Sequence, residues 1–492
     1  MQNELAMVKS SHVAASRKMA MMAATALGGV LLAASPAQAA TYTVNNQVAC
    51  SNANIAGTPF CTIAGALLVA QPGDTVLVEP GTYGGLVRIT RDGTSSAPIV
   101  VSANGPVIVT SSSYGFDLAG SAWVTVEGFT VNTTTYDGIR CTTCTNVLIT
   151  GNTVKKANGK GISINSSSDV TLADNDVEDS RLSGIDVAGS TRITITGGSV
   201  TRAGLRISAK SYKGIKLATT TNSLVEGVEV YNNSDTGVYI LTSSTGNRVK
   251  NVVAYDNARV FDRAAAGVEI RSSGNTVEGV IAYTNEDSGI NLRWGGSNAL
   301  VINNVTYRNG DHGIDALESS SATIINNSVY RNATAGINVE GSSPNSVIKN
   351  NVSVDNGIGS TRTYGNIRVT TTSMPAVANS NIVFSSVGGS VYHWNGVYFS
   401  NLSSLKTANP GVETLGLQVS PAFADQSAND FQLTAGSAAI DSADSDAISG
   451  PEIDVDLLGN ARCDDANKAD TGIGDISFAD RGALEFTGAC VQ

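Results

Sequence analysis

Gly184-Ile185-Asp186-Val187 is one member of a series, and its recurrence decides the fold. The pattern, Gly then Ile or Val, one variable residue and one apolar residue, begins at Gly138, Gly161, Gly184, Gly214, Gly237, Gly267, Gly289, Gly313 and Gly336. The intervals are 23, 23, 30, 23, 30, 22, 24 and 23 residues, and Asn366-Ile367 after Gly365 continues the series. A base period near 23 with additions at fixed places is the signature of a solenoid. Within each period a polar Ser/Thr turn follows the tetrapeptide. An apolar-polar segment such as Val277-Glu278-Gly279 or Ile325-Asn326-Asn327 comes next, and the repeat closes on an aromatic residue or Val, one residue, then Asn. Alternation at period two means strands, and the 3.6-residue spacing of a helical repeat is absent. Three short strands and their turns fill one coil. The sequence therefore predicts an all-β chain wound as a right-handed parallel β-helix of 22–24-residue coils, with an N-terminal cap and an irregular C-terminal cap.

Two columns reinforce this. Asn233, Asn257, Asn285, Asn309, Asn332 and Asn356 occupy one turn position. Tyr231, Tyr255, Tyr283, Tyr307 and Tyr330 lie two residues before it. Stacked Asn side chains bridge successive coils and satisfy turn backbone that no strand ladder reaches. Both columns read as structural.

The flanks divide the chain. Lys9, Arg17 and Lys18, an apolar run from Met19 to Ala34, and Ala37-Gln38-Ala39 form a bacterial-type export signal over residues 1–39, cleaved after Ala39. Residues 40–110 read as an N-terminal cap with the first coils, and Cys61 to Ala70 as a short helix. Residues 111–374 are the repeats, and 375–492 the terminal coils and an acidic cap. No other apolar run approaches membrane-spanning length. In an oxidising compartment the six Cys pair locally as Cys50/Cys61, Cys141/Cys144 and Cys463/Cys490. Twelve acids between 441 and 485 face only Arg462, Lys468 and Arg481, which reads as a solvated acidic surface, with Ca²⁺ binding as the alternative. Loss of the signal takes the formal net charge from −11 to −13, which argues against nucleic acid and anionic membranes as partners.

The variable residue of the tetrapeptide points away from the core, because its neighbours point in. At about 4.8 Å per coil these residues form a ladder: Arg140, Ser163, Asp186, Lys216, Tyr239, Glu269, Asn291, Asp315, Asn338 and Arg368. Two residues on, a second column holds Asn165, Arg271, Arg293 and Glu340. The residue before the Gly adds Lys160, Lys213 and His312. The long gaps from Ala203 to Gly214, Asn257 to Gly267 and Asn356 to Gly365 all leave the coil at one turn, so the insertions wall the ladder into a groove. They bring Arg206, Lys210, Lys213, Arg259, Asp262 and Arg263 with them. Such a groove fits an extended glycan.

The coils and Asn turns, together with Gly73-Asp74-Thr75-Val76 through Gly81-Thr82-Tyr83 and Asp430-Phe431-Gln432-Leu433 with Ser437 to Asp441, resemble the secreted β-helix carbohydrate-active proteins. The likeness is greatest to polysaccharide lyases of the pectate-lyase, alginate-lyase and chondroitinase B type, and it covers nearly the whole mature chain. It implies β-elimination on an acidic, uronate-containing polysaccharide, with Ca²⁺ or Arg neutralising the carboxylate. No lyase catalytic motif is matched residue by residue, so roles come from ladder position. Lys216, flanked by Lys213, is the candidate base, and Tyr239 the donor to the leaving oxygen. Arg271 and Arg293 are carboxylate clamps, and His312 adds a further acid-base group. Asp186, Glu269 and Asp315 are candidate Ca²⁺ ligands. Lys213, Arg259, Arg263, Asn291 and Asn338 are candidate substrate contacts, on a protein acting as a monomer. Three alternatives remain open: a glycoside hydrolase using the same carboxylates, a uronan C5-epimerase using Asp311, His312 and Asp315, and a non-catalytic glycan-binding module.

Overall fold

The computed structural model describes residues 39–206, 211–260, 264–362, 365–446, 454–488 and 490–491, the last two by backbone alone. The export segment, apart from Ala39, lies outside the described residues, as do Lys210, Asp262 and Arg263. Three long sheets of 14, 14 and 13 strands run the length of the molecule. Each strand pairs in parallel with its counterpart one coil on. The exception is Val397–Phe399, which turns back antiparallel on Tyr392–Trp394. The chain is a right-handed parallel β-solenoid of about 13 turns.

The tetrapeptides form the strands of one sheet, in the register their spacing predicts. Ile290 pairs with Ile314 and Ile314 with Ile337, all fully buried. The Gly that opens each strand is required by close approach to the next coil. A Cβ on Gly313 would lie 2.3 Å from Val329 Cγ1 and 2.7 Å from both Asn332 Nδ2 and Gly336 O.

The Asn column is a continuous hydrogen-bonded ladder. Asn309 Nδ2 donates to Asn332 Oδ1 (2.9 Å) and Ala282 O (3.0 Å), while its Oδ1 accepts from the Asn285 backbone and side chain. A second ladder runs through Asn304, Asn327, Asn351 and Asn381 and ends on Glu413. Beside the first, the rings of Tyr231, Tyr255, Tyr283 and Tyr307 stack 4.8–4.9 Å apart with their planes nearly parallel.

The ends are closed differently. At the N-terminus, Thr62 caps the helix Ile63–Leu67 by accepting from Gly65 N, and the disulfide Cys50–Cys61 fixes the approach. Cys141 and Cys144 are bonded inside the core. Cys463 is also disulfide-bonded, while the side chain of Cys490 lies outside the described residues. After the helix Leu402–Ala408 the chain abandons coiling and folds back across the side of the solenoid. Phe431 packs on Tyr307 and Tyr330, Ala483 N donates to Ser328 Oγ, and Lys349 pairs with Asp444 at 2.7 Å. The acidic segment is therefore not simply a solvated surface. Asp441, Asp444, Asp456, Asp465, Asp480 and Glu485 are all buried. Asp444 pairs with Lys349 of the coils, Asp480 and Glu485 accept from groups of the cover itself, and apolar residues such as Phe431 and Leu457 pack on the coils.

Replacing Asn309, 1% exposed, with Ala breaks four hydrogen bonds and leaves their buried partners unpaired. The expected loss is about 3 kcal/mol of unfolding free energy, read as a lowered denaturant midpoint. Replacement of the exposed Val260 should be neutral.

Candidate functional site

The ladder forms as its spacing predicts. Backbone register joins Asp186 to Lys216, Lys216 to Tyr239, Tyr239 to Glu269, Glu269 to Asn291, Asn291 to Asp315, Asp315 to Asn338 and Asn338 to Arg368. These side chains leave the core, yet they do not reach bulk solvent. Asp186, Tyr239, Glu269, Asn291, Asp315 and Asn338 are each at most 6% exposed. Arg271 of the second column lies over Tyr239 and pairs with Glu269, so the ladder is the floor of the face and not its surface.

Burial makes this floor pair its charges. Asp186 is gripped by Lys160 at 2.8 Å and Lys216 at 3.4 Å. Lys213 pairs with Asp235. Glu269 accepts from Arg271 and from Thr236 Oγ1. Asp315 accepts from Asn338 Nδ2, and Arg368 bridges Asn338 and Glu340. Arg259 lies exposed on its insertion. Arg362, on the third insertion, reaches back to Asp311 at 3.0 Å, so that insertion does overhang the face.

An open pocket of about 420 Å³ sits at the centre, lined by Lys213, Asp235, Ala264, Glu269, Arg271, Arg293 and Trp294. Three cations face two carboxylates, and both carboxylates already have a cation. Arg293 makes no ion pair among the described residues, and its buried Nε has no hydrogen-bond partner. Its guanidinium and that of Arg271 each lie 4.3 Å from the Trp294 ring, which is 45% exposed. Beneath them Tyr239 lies 4.9 Å from Lys213 Nζ and 5.2 Å from the Arg271 guanidinium. Burial pushes the Tyr239 hydroxyl up to about 12, so it keeps its proton at neutral pH.

The Ca²⁺ ligand set expected from the sequence is not brought together. Asp186 lies three rungs from Glu269, and Glu269 two from Asp315, roughly 14 and 10 Å at the usual strand spacing. Each of these carboxylates is also engaged by protein donors. This donor set does not fit a shared Ca²⁺. His312, Asp315 and Glu340 do converge, each with a ligand atom within 4.8 Å of the others. There Arg368 already compensates Glu340, and His312 Nδ1 accepts from Ala335 N.

Next to the pocket lies a group the sequence reading only half saw. Asp235, Asp287 and Asp311 each stand two residues before a repeat Gly, and Asp287 and Asp311 are on successive coils. Burial, then the charge of Asp311, pushes Asp287 up to about 7. Burial alone would raise Asp311 too, but the His312 ring, the Thr334 hydroxyl and the Arg362 guanidinium outweigh it and hold it below the usual carboxylate range. Burial keeps His312 below its ordinary value although Asp311 lies 3.7 Å away. Aligning the position two before each Gly would have found Asp287. Trp294, one of only three Trp in the chain, directly follows Arg293 and was equally visible.

A family model described as right handed beta helix region matches residues 137–304 and 257–404, together more than half of the chain. No curated protein matches. Among solved structures, pectate lyase Pel9A is similar at 17% identity, over 91% of this chain and 96% of that one, with TM-score 0.48. PL6 family alginate lyase AlyGC is similar at 16%, over 72% and 56%, with TM-score 0.48. GH136 lacto-N-biosidase from Eubacterium ramulus is similar at 14%, over 58% and 68%, with TM-score 0.42. At these identities and TM-scores the likeness says nothing of this chain's activity.

Because folding raises the pKa of Asp287, its neutral form favours the folded state. That contribution is complete below about pH 4 and is lost as pH rises to about 7. Asp287→Asn should flatten the fall in unfolding free energy across this window, measured by denaturant titration at several pH values. An unchanged slope would exclude Asp287 as its source.

Proposed function

The chain belongs to the family of right-handed β-helix proteins, and on that premise we propose that it is an exported polysaccharide lyase whose central pocket takes a uronate of an acidic glycan. The observation that carries this reading is Arg293, a guanidinium with no carboxylate of its own, stacked with Arg271 on a half-exposed Trp294 at the mouth of the pocket. A sugar ring stacks on the indole while its C5 carboxylate receives the free guanidinium hydrogens. With that carboxylate neutralised, the C5 proton becomes acidic enough to remove. A lysine in its free-amine form takes it, the electron pair forms the C4=C5 double bond, and the C4–O4 bond breaks. The departing O4 takes the hydroxyl proton of Tyr239. Lys213 lines the pocket and Lys216 does not; both are paired on the floor, Lys213 with Asp235 and Lys216 with Asp186, so Lys213 acts as the base once its own proton has passed to Asp235. Asn291 and Asn338 then support the floor of the groove, and Arg259 lies exposed on the insertion beside it.

Export of the chain is supported by the N-terminal signal pattern and by the disulfides. No described helix is long and apolar enough to cross a membrane.

One observation favours a second reading. Asp287 and Asp311 are adjacent carboxyl groups whose environments drive their pKa values apart, as an acid and a base in glycoside hydrolysis require. The products separate the two. Incubation with pectate, alginate and glycosaminoglycans should yield unsaturated ends with ultraviolet absorbance. Reducing ends without that absorbance would replace the lyase reading with hydrolysis. Arg293→Ala should lower kcat/KM by about 100-fold, with Trp294→Ala raising KM. Lys213→Ala should cost more activity than Lys216→Ala, and full activity in Lys213→Ala would remove it as base.

A further inference from the structure

The folded-back C-terminal segment holds a group that the glycan site does not use. Asp441, Asp464 and Asp470 each place a carboxylate oxygen within 4.8 Å of the others. Asp441 is 0% exposed, and its Oδ2 has no hydrogen-bond partner. Among the described residues its Oδ1 accepts only the Asp465 backbone N–H, at 3.4 Å. None of the three makes an ion pair among the described residues. Lys468, in the same loop, gives its ammonium to the Ser437 carbonyl. An ionised oxygen in this position carries an uncompensated desolvation cost.

The surrounding backbone is arranged to bring the acids in. The Asp441 carbonyl accepts from Thr471 N at 2.7 Å, Gly472 N at 3.1 Å and Thr471 Oγ1 at 3.1 Å. These bonds hold the loop 464–472 over Asp441, with an acid at each end of its arc. Asp441 is buried, Asp464 half-buried and Asp470 exposed, so the group opens to water on one side.

We propose that Asp441, Asp464 and Asp470 form a Ca²⁺ site that fastens the loop 464–472 to the body of the C-terminal cover. The ligand class follows from the donors. Three hard carboxylate oxygens on an irregular loop, with one face left to water, suit a cation that tolerates six to eight oxygens in loose geometry better than the strict octahedron of Mg²⁺. The site lies away from the pocket of Arg271 and Arg293 and is independent of the glycan reading.

The test uses the full chain after chelator treatment and gel filtration. Calorimetric titration with CaCl₂ should show a saturable site, and Ca²⁺ should raise the thermal midpoint more than MgCl₂ does. Asp464→Asn and Asp470→Asn, both at positions that reach solvent, should each weaken binding by about tenfold or more and shrink the Ca²⁺-dependent rise. Asp441→Asn should abolish the rise and, in chelator, unfold at a higher temperature than the parent, because the unpaired buried charge is gone. Three results would each overturn the proposal: no calcium-dependent shift in the parent, a shift kept intact in Asp464→Asn and Asp470→Asn, or an Asp441→Asn protein less stable than the parent in chelator.

Discussion

The amide ladders are what the rest of this molecule depends on. A parallel solenoid satisfies its strands with neighbouring coils, but it must turn three times per coil, and turn backbone has no such partner. Asn side chains stacked at one coil spacing close that gap: each Nδ2 serves the next Asn and a carbonyl in the preceding coil. Because the bonds are short and buried, they fix the height of every rung. With rung height fixed, residues far apart in sequence become neighbours on a face, and a working surface can be assembled from single residues of successive repeats.

That surface has two layers. The floor is a row of paired charges, Lys160–Asp186–Lys216, Lys213–Asp235 and Glu269–Arg271, in which each acid is buried and its cation partly exposed. Such pairing costs about as much in desolvation as it returns in attraction, so its main effect is positional. It holds the second layer, Arg271, Arg293 and Trp294, above it. Arg293 keeps unspent hydrogen-bonding capacity because the floor supplies no acid for it.

Periodicity made the fold and the floor legible. The Gly series predicted the strands, the register from Asp186 to Arg368 and the side from which the insertions leave. The period was silent on what the insertions do next, because their conformation is not repeated. Hence the ladder read as solvent-facing when it is covered, and Lys216 as central when Asp186 holds it. Asp186, Glu269 and Asp315 looked like one ligand set on a one-dimensional list, although five rungs separate the first from the last. Asp287 stands two residues before Gly289, outside the columns that the tetrapeptide and its preceding residue define. The acids beyond Asp441 could not be sorted by composition, since burial there is set by contacts with coils a hundred residues earlier.

Those contacts change how the chain can be completed. A plain solenoid grows by adding coils, each finding its template already laid. Here the final segment returns to coils near residues 300–350, where Arg462 hydrogen-bonds Asn303 and Asn350 exchanges bonds with Asp444. While the chain emerges N-terminus first, the flank of the tyrosine stack must wait bare until the last residues arrive. Assembly is therefore sequential along the axis but ends with a single closing event. That closure joins the last residues to the middle of the molecule, so the C-terminal end cannot fray one coil at a time.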